Sequence, residues 1–215
     1  MIKIFMAGIN FYVIDTETTG LKNGYHEICE ISIIRYSDRV QLSRQIICKY
    51  PERASFDALN ITKKTIHDLE NGFDSEKVVN DCEKFFSEDG LTAPHRCIIA
   101  HNAAFDRKFL HALWEEHKKV FPADLWLDTV ALTRFYAKQI GLIKPKVNLQ
   151  AACDMVGVKK ISGVHNAKSD SRNTYLLHKE LVESKKVDYL PFIKTASHST
   201  SSMEDYDMSL LEDAV

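Results

Sequence analysis

The chain has 215 residues and a net charge of −2, with 45% hydrophobic and 27% charged residues. This is the composition of a globular chain large enough for one sizeable domain and a short appendage. It excludes a generic polyanion binder, and no apolar run approaches the length of a membrane span, so no membrane partner is expected.

The start, Met1 to Ala7, has one lysine and too short an apolar run for a secretory signal, and a cytoplasmic location is expected. The five cysteines, Cys29, Cys48, Cys82, Cys97 and Cys153, are scattered without a C-x-x-C pair. They read as reduced, buried thiols rather than a zinc site or disulfide framework. Charge is uneven. Eight Lys or Arg lie between Arg134 and Arg172 with only Asp154 and Asp170 among them, whereas five acids and no Lys or Arg follow His198. The basic stretch can attract phosphates locally, and its lysines read equally as solvated surface.

Phe11-Tyr12-Val13-Ile14 reads as a buried strand that ends in Asp15-Thr16-Glu17. Ile28 to Tyr36 and Val40 to Tyr50 read as two more strands, giving an antiparallel meander closed by Pro51. Residues 52–60 read as loop, and Thr62 as the cap of a short helix ending before Asn71-Gly72. Ser75 to Phe86 has helical spacing of Val78, Val79, Cys82, Phe85 and Phe86. Arg96 to Ala100 is a short buried strand, and Asn102 caps a helix running to about His117. Leu127 to Tyr136 begins either as a strand or directly as a helix. Asn148 caps a helix that Gly157 ends, and a last long helix runs from about His165 to Ser184. Pro191 and the Ser-rich stretch after it mark a linker. One domain over 1–190 and a flexible acidic tail over 191–215 are therefore expected.

Acids on apolar faces carry the functional signal. Asp15 and Glu17 are one residue apart on a strand, so they share a face and repel. Asp106 shares a helical stripe with Leu110 and Leu113, and Asp170 shares one with Thr174, Leu177 and Leu181. An acid inside such a stripe must be neutralised, paired or metal-bound, and an ion pair to arginine is the alternative for either alone. Four carboxylates suit Mg²⁺ or Mn²⁺, and two ions roughly 3.5–4 Å apart form a phosphoryl-transfer site. His165, five residues before Asp170, is the candidate general base, with Gly163 lending the segment freedom; a plain surface histidine is the alternative.

Asp15-Thr16-Glu17-Thr18-Thr19-Gly20-Leu21, His101-Asn102-Ala103-Ala104-Phe105-Asp106 and His165-Asn166-Ala167-Lys168-Ser169-Asp170 resemble, in order, the three motifs of the DEDDh (DnaQ-like) 3′–5′ exonucleases. Leu127-Asp128-Thr129 and Asn148-Leu149-Gln150 resemble the segments between the last two motifs, and the resemblance extends over about residues 10–185. Within the family the spacing is most similar to the proofreading, epsilon-type branch of bacterial DNA polymerase III.

The resemblance implies an α/β, RNase H-like fold with a mixed five-stranded sheet flanked by helices. It implies Asp15, Glu17, Asp106 and Asp170 as catalytic metal ligands for two Mg²⁺ or Mn²⁺ ions, and His165 as the base. It implies substrate contacts from Thr16, Thr18, Leu21, His101, Asn102 and Phe105, though Asn102 alone reads as a helix cap and Phe105 as core. The implied substrate is a single-stranded or frayed 3′ end of DNA, with an RNA-trimming activity or a catalytically dead nucleic-acid-binding module as alternatives. In the tail, Asp207-Met208-Ser209-Leu210-Leu211 resembles a bacterial sliding-clamp-binding pentapeptide, with Asp207 and Leu211 departing from the pattern. A clamp or polymerase subunit is the implied partner, and an acidic tail with incidental leucines the alternative.

Overall fold

The computed structural model describes residues 8–161 and 165–196. Gly163 and the clamp-like segment Asp207–Leu211 lie outside the described residues. Strand β1 (Asn10–Thr18) sits near the middle of one mixed sheet with β2 (Ile28–Arg35), β3 (Gln41–Gln45), β4 (Arg96–Ala100), β5 (Leu125–Asp128) and β6 (Ile193–Thr195). The spatial order is β3-β2-β1-β4-β5-β6. β1 pairs antiparallel with β2 and parallel with β4, and β4 pairs parallel with β5.

Seven α-helices lie among the described residues: α1 (Phe56–Thr62), α2 (Ile66–Leu69), α3 (Ser75–Ser87), α4 (Ala103–Glu116), α5 (Thr129–Gln139), α6 (Leu149–Val156) and α7 (Ala167–Lys179). α7 runs on through a π-helical turn, Glu180–Ser184. Two cores result, one on each face of the sheet. Tyr12 and Ile14 of β1 pack with Val78, Phe86, Leu110 and Trp114 of α3 and α4. Phe11 and Val13 pack with Leu132, Ala152, Leu177 and Leu181 of α5, α6 and the α7 extension. The alternation of a strand thus fixes which helix each β1 residue meets.

The mixed sheet with flanking helices agrees with the sequence reading, and all five cysteines are buried and free. Four local expectations are corrected. The sheet has a sixth strand, β6, built from residues read as linker: Ile193 joins the second core, and Ala196 is buried with its N–H donating to the Asp124 carbonyl at 2.7 Å. That pairing covers the edge that β5 would otherwise leave open. Residues 52–60 are not loop, because Ser55 caps α1 by accepting from the Ala58 N–H at 3.1 Å. Thr62 ends α1, and Thr65 caps α2 through a reciprocal pair of bonds with Asp68. Asn102 does stand before α4, but its side chain makes no capping bond; it takes a left-handed conformation (φ 67°) that asparagine tolerates well.

Candidate active site

The site forms at the carboxyl ends of β1, β4 and β5, where parallel strands feed their helices and clefts open in α/β sheets. Asp15 and Glu17 have the parity of Phe11 and Val13, so they face α7, whose first turn carries Asp170. The three carboxylates offer oxygens that all lie within 4.8 Å of one another. Asp106 arrives from the other face. It sits in the first turn of α4 and accepts from both Thr16 N (3.0 Å) and Thr16 Oγ1 (2.8 Å). Thr16, between the two β1 acids, therefore ties the α4 carboxylate to the same strand. The β1–β2 register shifts between Glu17 and Thr18, bending the strand at the site.

Electrostatics identify what these acids lack. Burial first, then the charges of Asp106, Glu17 and Asp170, hold the Asp15 carboxyl well above its ordinary range. Burial, then Asp170 and Glu30, push Glu17 up to about 8 against the pull of Lys64. Burial pushes Asp106 up to about 7, although the Thr16 bonds pull it down. Without a further positive charge Glu17 keeps its proton at neutral pH. The donor set is all oxygen, convergent and partly buried, which fits a hard divalent cation such as Mg²⁺ or Mn²⁺.

Asp170 is the most supported of the four. Its Oδ1 accepts from Asn173 Nδ2 at 3.1 Å and lies 3.7 Å from Lys160 Nζ. Its Oδ2 lies 3.2 Å from His165 Nδ1. Asn173 is fully buried and its Oδ1 also accepts from the Ile161 N–H at 2.8 Å, so it holds Ile161 beside the helix that carries Asp170. Asn166 caps α7 by accepting from Ser169 N at 2.9 Å, which places Asp170 in the first turn. His165 itself is 47% exposed at the rim.

The residues expected to touch substrate divide. Leu21 is exposed on the turn after β1. Thr18 is buried and its hydroxyl donates to the Gly20 carbonyl at 2.8 Å. Phe105 packs partly buried against Phe109, ring centroids 4.9 Å apart. His101 is committed to the scaffold: Nε2 donates to the Val147 carbonyl at 2.8 Å and Nδ1 meets the Thr129 hydroxyl at 2.8 Å. Burial pushes its pKa down to about 4, so it is neutral. The Asn102 N–H donates to Asp128 Oδ1 at 3.0 Å, and that carboxylate also caps α5 through Val130 N at 2.9 Å. Asp128-Thr129 is thus the brace of the β4–α4 corner.

Sequence reasoning missed Glu30, Lys64, Lys160 and Asn173. Glu30 stands directly opposite Glu17 in the β1–β2 register, and Lys64 pairs with it at 3.2 Å. The only sequence signal for Glu30 is an acid inside the otherwise apolar β2. The lysines and Asn173 carry none, because loops and a helix interior bring them in.

A strand-end pair of acids is completed from two helix N-termini, with a histidine on the last acid, and three of the four carboxylates are close enough to share one cation. Residues 12–178 match the RNase_T family of exonucleases, and the chain belongs to that family. The DNA polymerase III subunit epsilon of Treponema pallidum is 30% identical over 165 residues, covering 76% of this chain and 72% of its own length. The PolC-type DNA polymerase III of Thermotoga maritima is 31% identical over 186 residues, covering 80% of this chain but 12% of that much longer polymerase. In fold, the chain is similar to the nuclease domain of 3′hExo, a DEDDh family member, with a TM-score of 0.67 at 13% identity over 89% of this chain and 98% of that one. It is also similar to exonuclease I, with a TM-score of 0.68 at 16% identity over 83% and 42%. The fold is RNase H-like. Among the described residues no helix is long and apolar enough to cross a membrane.

Proposed function

We propose that the protein is a divalent-metal-dependent 3′–5′ exonuclease that hydrolyses the terminal phosphodiester bond of a single-stranded or frayed DNA end and releases 5′-mononucleotides. The observation that carries this reading is the convergence of Asp15, Glu17 and Asp170 beside Asp106, with His165 on Asp170. Asp15, Glu17 and Asp170 would hold the cation, with Asp106 beside them. One or two ions bound there would supply positive charge to the phosphate and acidify a water. The residues do the rest. Because a carboxylate only accepts, the Asp170–His165 contact fixes Nδ1 as the protonated nitrogen and leaves Nε2 to take the proton of the attacking water. Thr16 holds Asp106 in place, and Asn173 and Lys160 hold Asp170. Leu21 and the backbone around Thr18 line the position of the terminal nucleotide.

A 5′-labelled single strand incubated with Mg²⁺ or Mn²⁺ should shorten one nucleotide at a time, and Asp15→Ala or Asp170→Ala should stop it. A label released as internal fragments, or undiminished ladders from both variants, would refute the reading. A second reading, trimming of RNA ends, is supported by the fold likeness to a 3′-exonuclease that recognises the histone mRNA stem-loop. Matched DNA and RNA strands separate the two. The similarity to epsilon and PolC-type polymerases supports a role in proofreading beside a polymerase, and co-purification with a replicative polymerase subunit tests it.

A further inference from the structure

The hairpin turn after β1 and the segment that follows β3 form one rigid unit beside the site. The Thr19 carbonyl accepts from Ser55 N at 2.8 Å, and the Glu27 carboxylate accepts from Lys49 N at 2.9 Å and Tyr50 N at 2.8 Å. His26 locks the turn: its Nδ1 accepts from Lys22 N at 2.9 Å, and its ring packs on Gly20, where an added Cβ would meet it at 2.6 Å. This frame carries an array of aromatic rings that no core requires. Tyr25 and Tyr50 are each 44% exposed and Phe56 is 76% exposed. The Arg53 guanidinium lies 3.7 Å from the Tyr50 ring centroid and 5.1 Å from that of Tyr25, fixing both rings. Lys22 lies 5.6 Å from the Tyr25 ring.

Exposed aromatics interleaved with cations, and continuous with a phosphodiester cleft, are the chemistry that binds single-stranded nucleic acid by base stacking. The Ser55–Thr19 bond ties the array directly to the turn that carries Thr18 and Gly20, at the end of the strand that bears Asp15 and Glu17. We propose that Tyr25, Tyr50 and Phe56, with Tyr25 and Tyr50 held by Arg53, form a stacking platform for the bases on the 5′ side of the terminal nucleotide. This rests on the exonuclease reading and extends it: the enzyme prefers unpaired strands of several nucleotides over dinucleotides. The Tyr25 and Tyr50 rings are fixed before binding, so little side-chain freedom is lost when a base stacks on them.

The test compares a dinucleotide with a short 5′-labelled oligonucleotide as substrates for the full-length wild type and for Phe56→Ala, Tyr50→Ala and Tyr50→Phe. The oligonucleotide KM should rise about tenfold in each alanine variant, with kcat and all dinucleotide kinetics unchanged and Tyr50→Phe behaving as wild type. An unchanged oligonucleotide KM in both alanine variants overturns the platform while leaving the exonuclease standing. An equal loss on the dinucleotide also overturns it, because the rings would then only support the fold. If the wild type cleaves neither substrate, the exonuclease reading fails. The platform is then decided by fluorescence anisotropy of labelled oligothymidylate in EDTA, where weaker binding by both alanine variants sustains it and equal binding removes it.

Discussion

The two ends of β1 solve the problem of burying acid in opposite ways. At the start, Asp89 accepts from Tyr12 Oη at 2.7 Å, Asn10 Nδ2 at 3.3 Å, Leu91 N at 2.8 Å and Arg96 Nη2 at 2.7 Å. Burial alone would raise its pKa, but those bonds, led by Arg96, outweigh it and hold the carboxyl well below the usual range. At the far end, Asp15 and Glu17 are pushed up by burial and then by the other acids they meet. An acid that the fold has already satisfied is scaffold. An acid that the fold leaves unsatisfied is waiting for something outside the chain, and that difference separates architecture from function along a single strand.

The comparison breaks in different ways at the two ends. Asp15→Asn should lower exonuclease turnover by about 10³-fold or more while leaving metal-free thermal stability unchanged or higher, since a buried acid among other acids is replaced by a neutral amide of the same shape. A variant that melts early would mean that Asp15 is scaffold after all. Arg96→Met should do the reverse, costing about 3–5 kcal/mol in denaturant unfolding by stranding the Asp89 charge, with metal affinity at the far end intact. Loss of metal binding in that variant would show the two ends to be coupled.

The ends also titrate with opposite sign. Glu17 has an ordinary pKa of 4.5 unfolded and about 8 folded, so the stability it contributes is full below 4.5 and is lost as pH rises through about 8. Asp89 contributes stability above the unfolded carboxyl range, about 4, which is lost as pH falls through its lower folded value. Melting curves of metal-free protein should therefore decline from about pH 5 to 8, and Glu17→Gln should flatten that decline. A decline that persists in Glu17→Gln would assign it elsewhere. The smallest effect is expected at Asn173. Its replacement by alanine removes the bonds to Ile161 N and Asp170 Oδ1 and should cost about 1 kcal/mol and several-fold in turnover, measured by melting and by the oligonucleotide assay. A variant with wild-type turnover would remove Asn173 from the support of the site.

The four acids that gather at the site were legible in the sequence because each carboxylate breaks an apolar pattern of known period, and a pattern violation survives without coordinates, whereas His165 stood out only by its distance from Asp170. The alternation of β1 even dictates that Asp15 and Glu17 meet α7 while Thr16 meets α4. Other partners were hidden because they are set by register and loop path. Glu30 reaches Glu17 only through the β1–β2 pairing, and Lys64 reaches Glu30 from the junction of α1 and α2, inside a span that reads as a single short helix. β6 is three residues long, too short to display alternation, and α1 exposes Phe56 instead of presenting a stripe. His101 illustrates the converse: a motif residue expected to border the substrate cleft, whose two ring nitrogens are occupied by the scaffold.

The central claim is that the far end of β1 is completed by a divalent cation. Calorimetric titration of metal-free protein with Mn²⁺ or Mg²⁺ at pH 7, in two buffers of different ionisation enthalpy, tests it directly. The account predicts binding with proton release, because raised carboxyls must ionise to take the cation, and loss of both in Asp15→Asn. Absence of binding, or binding that Asp15→Asn leaves unchanged, would contradict it.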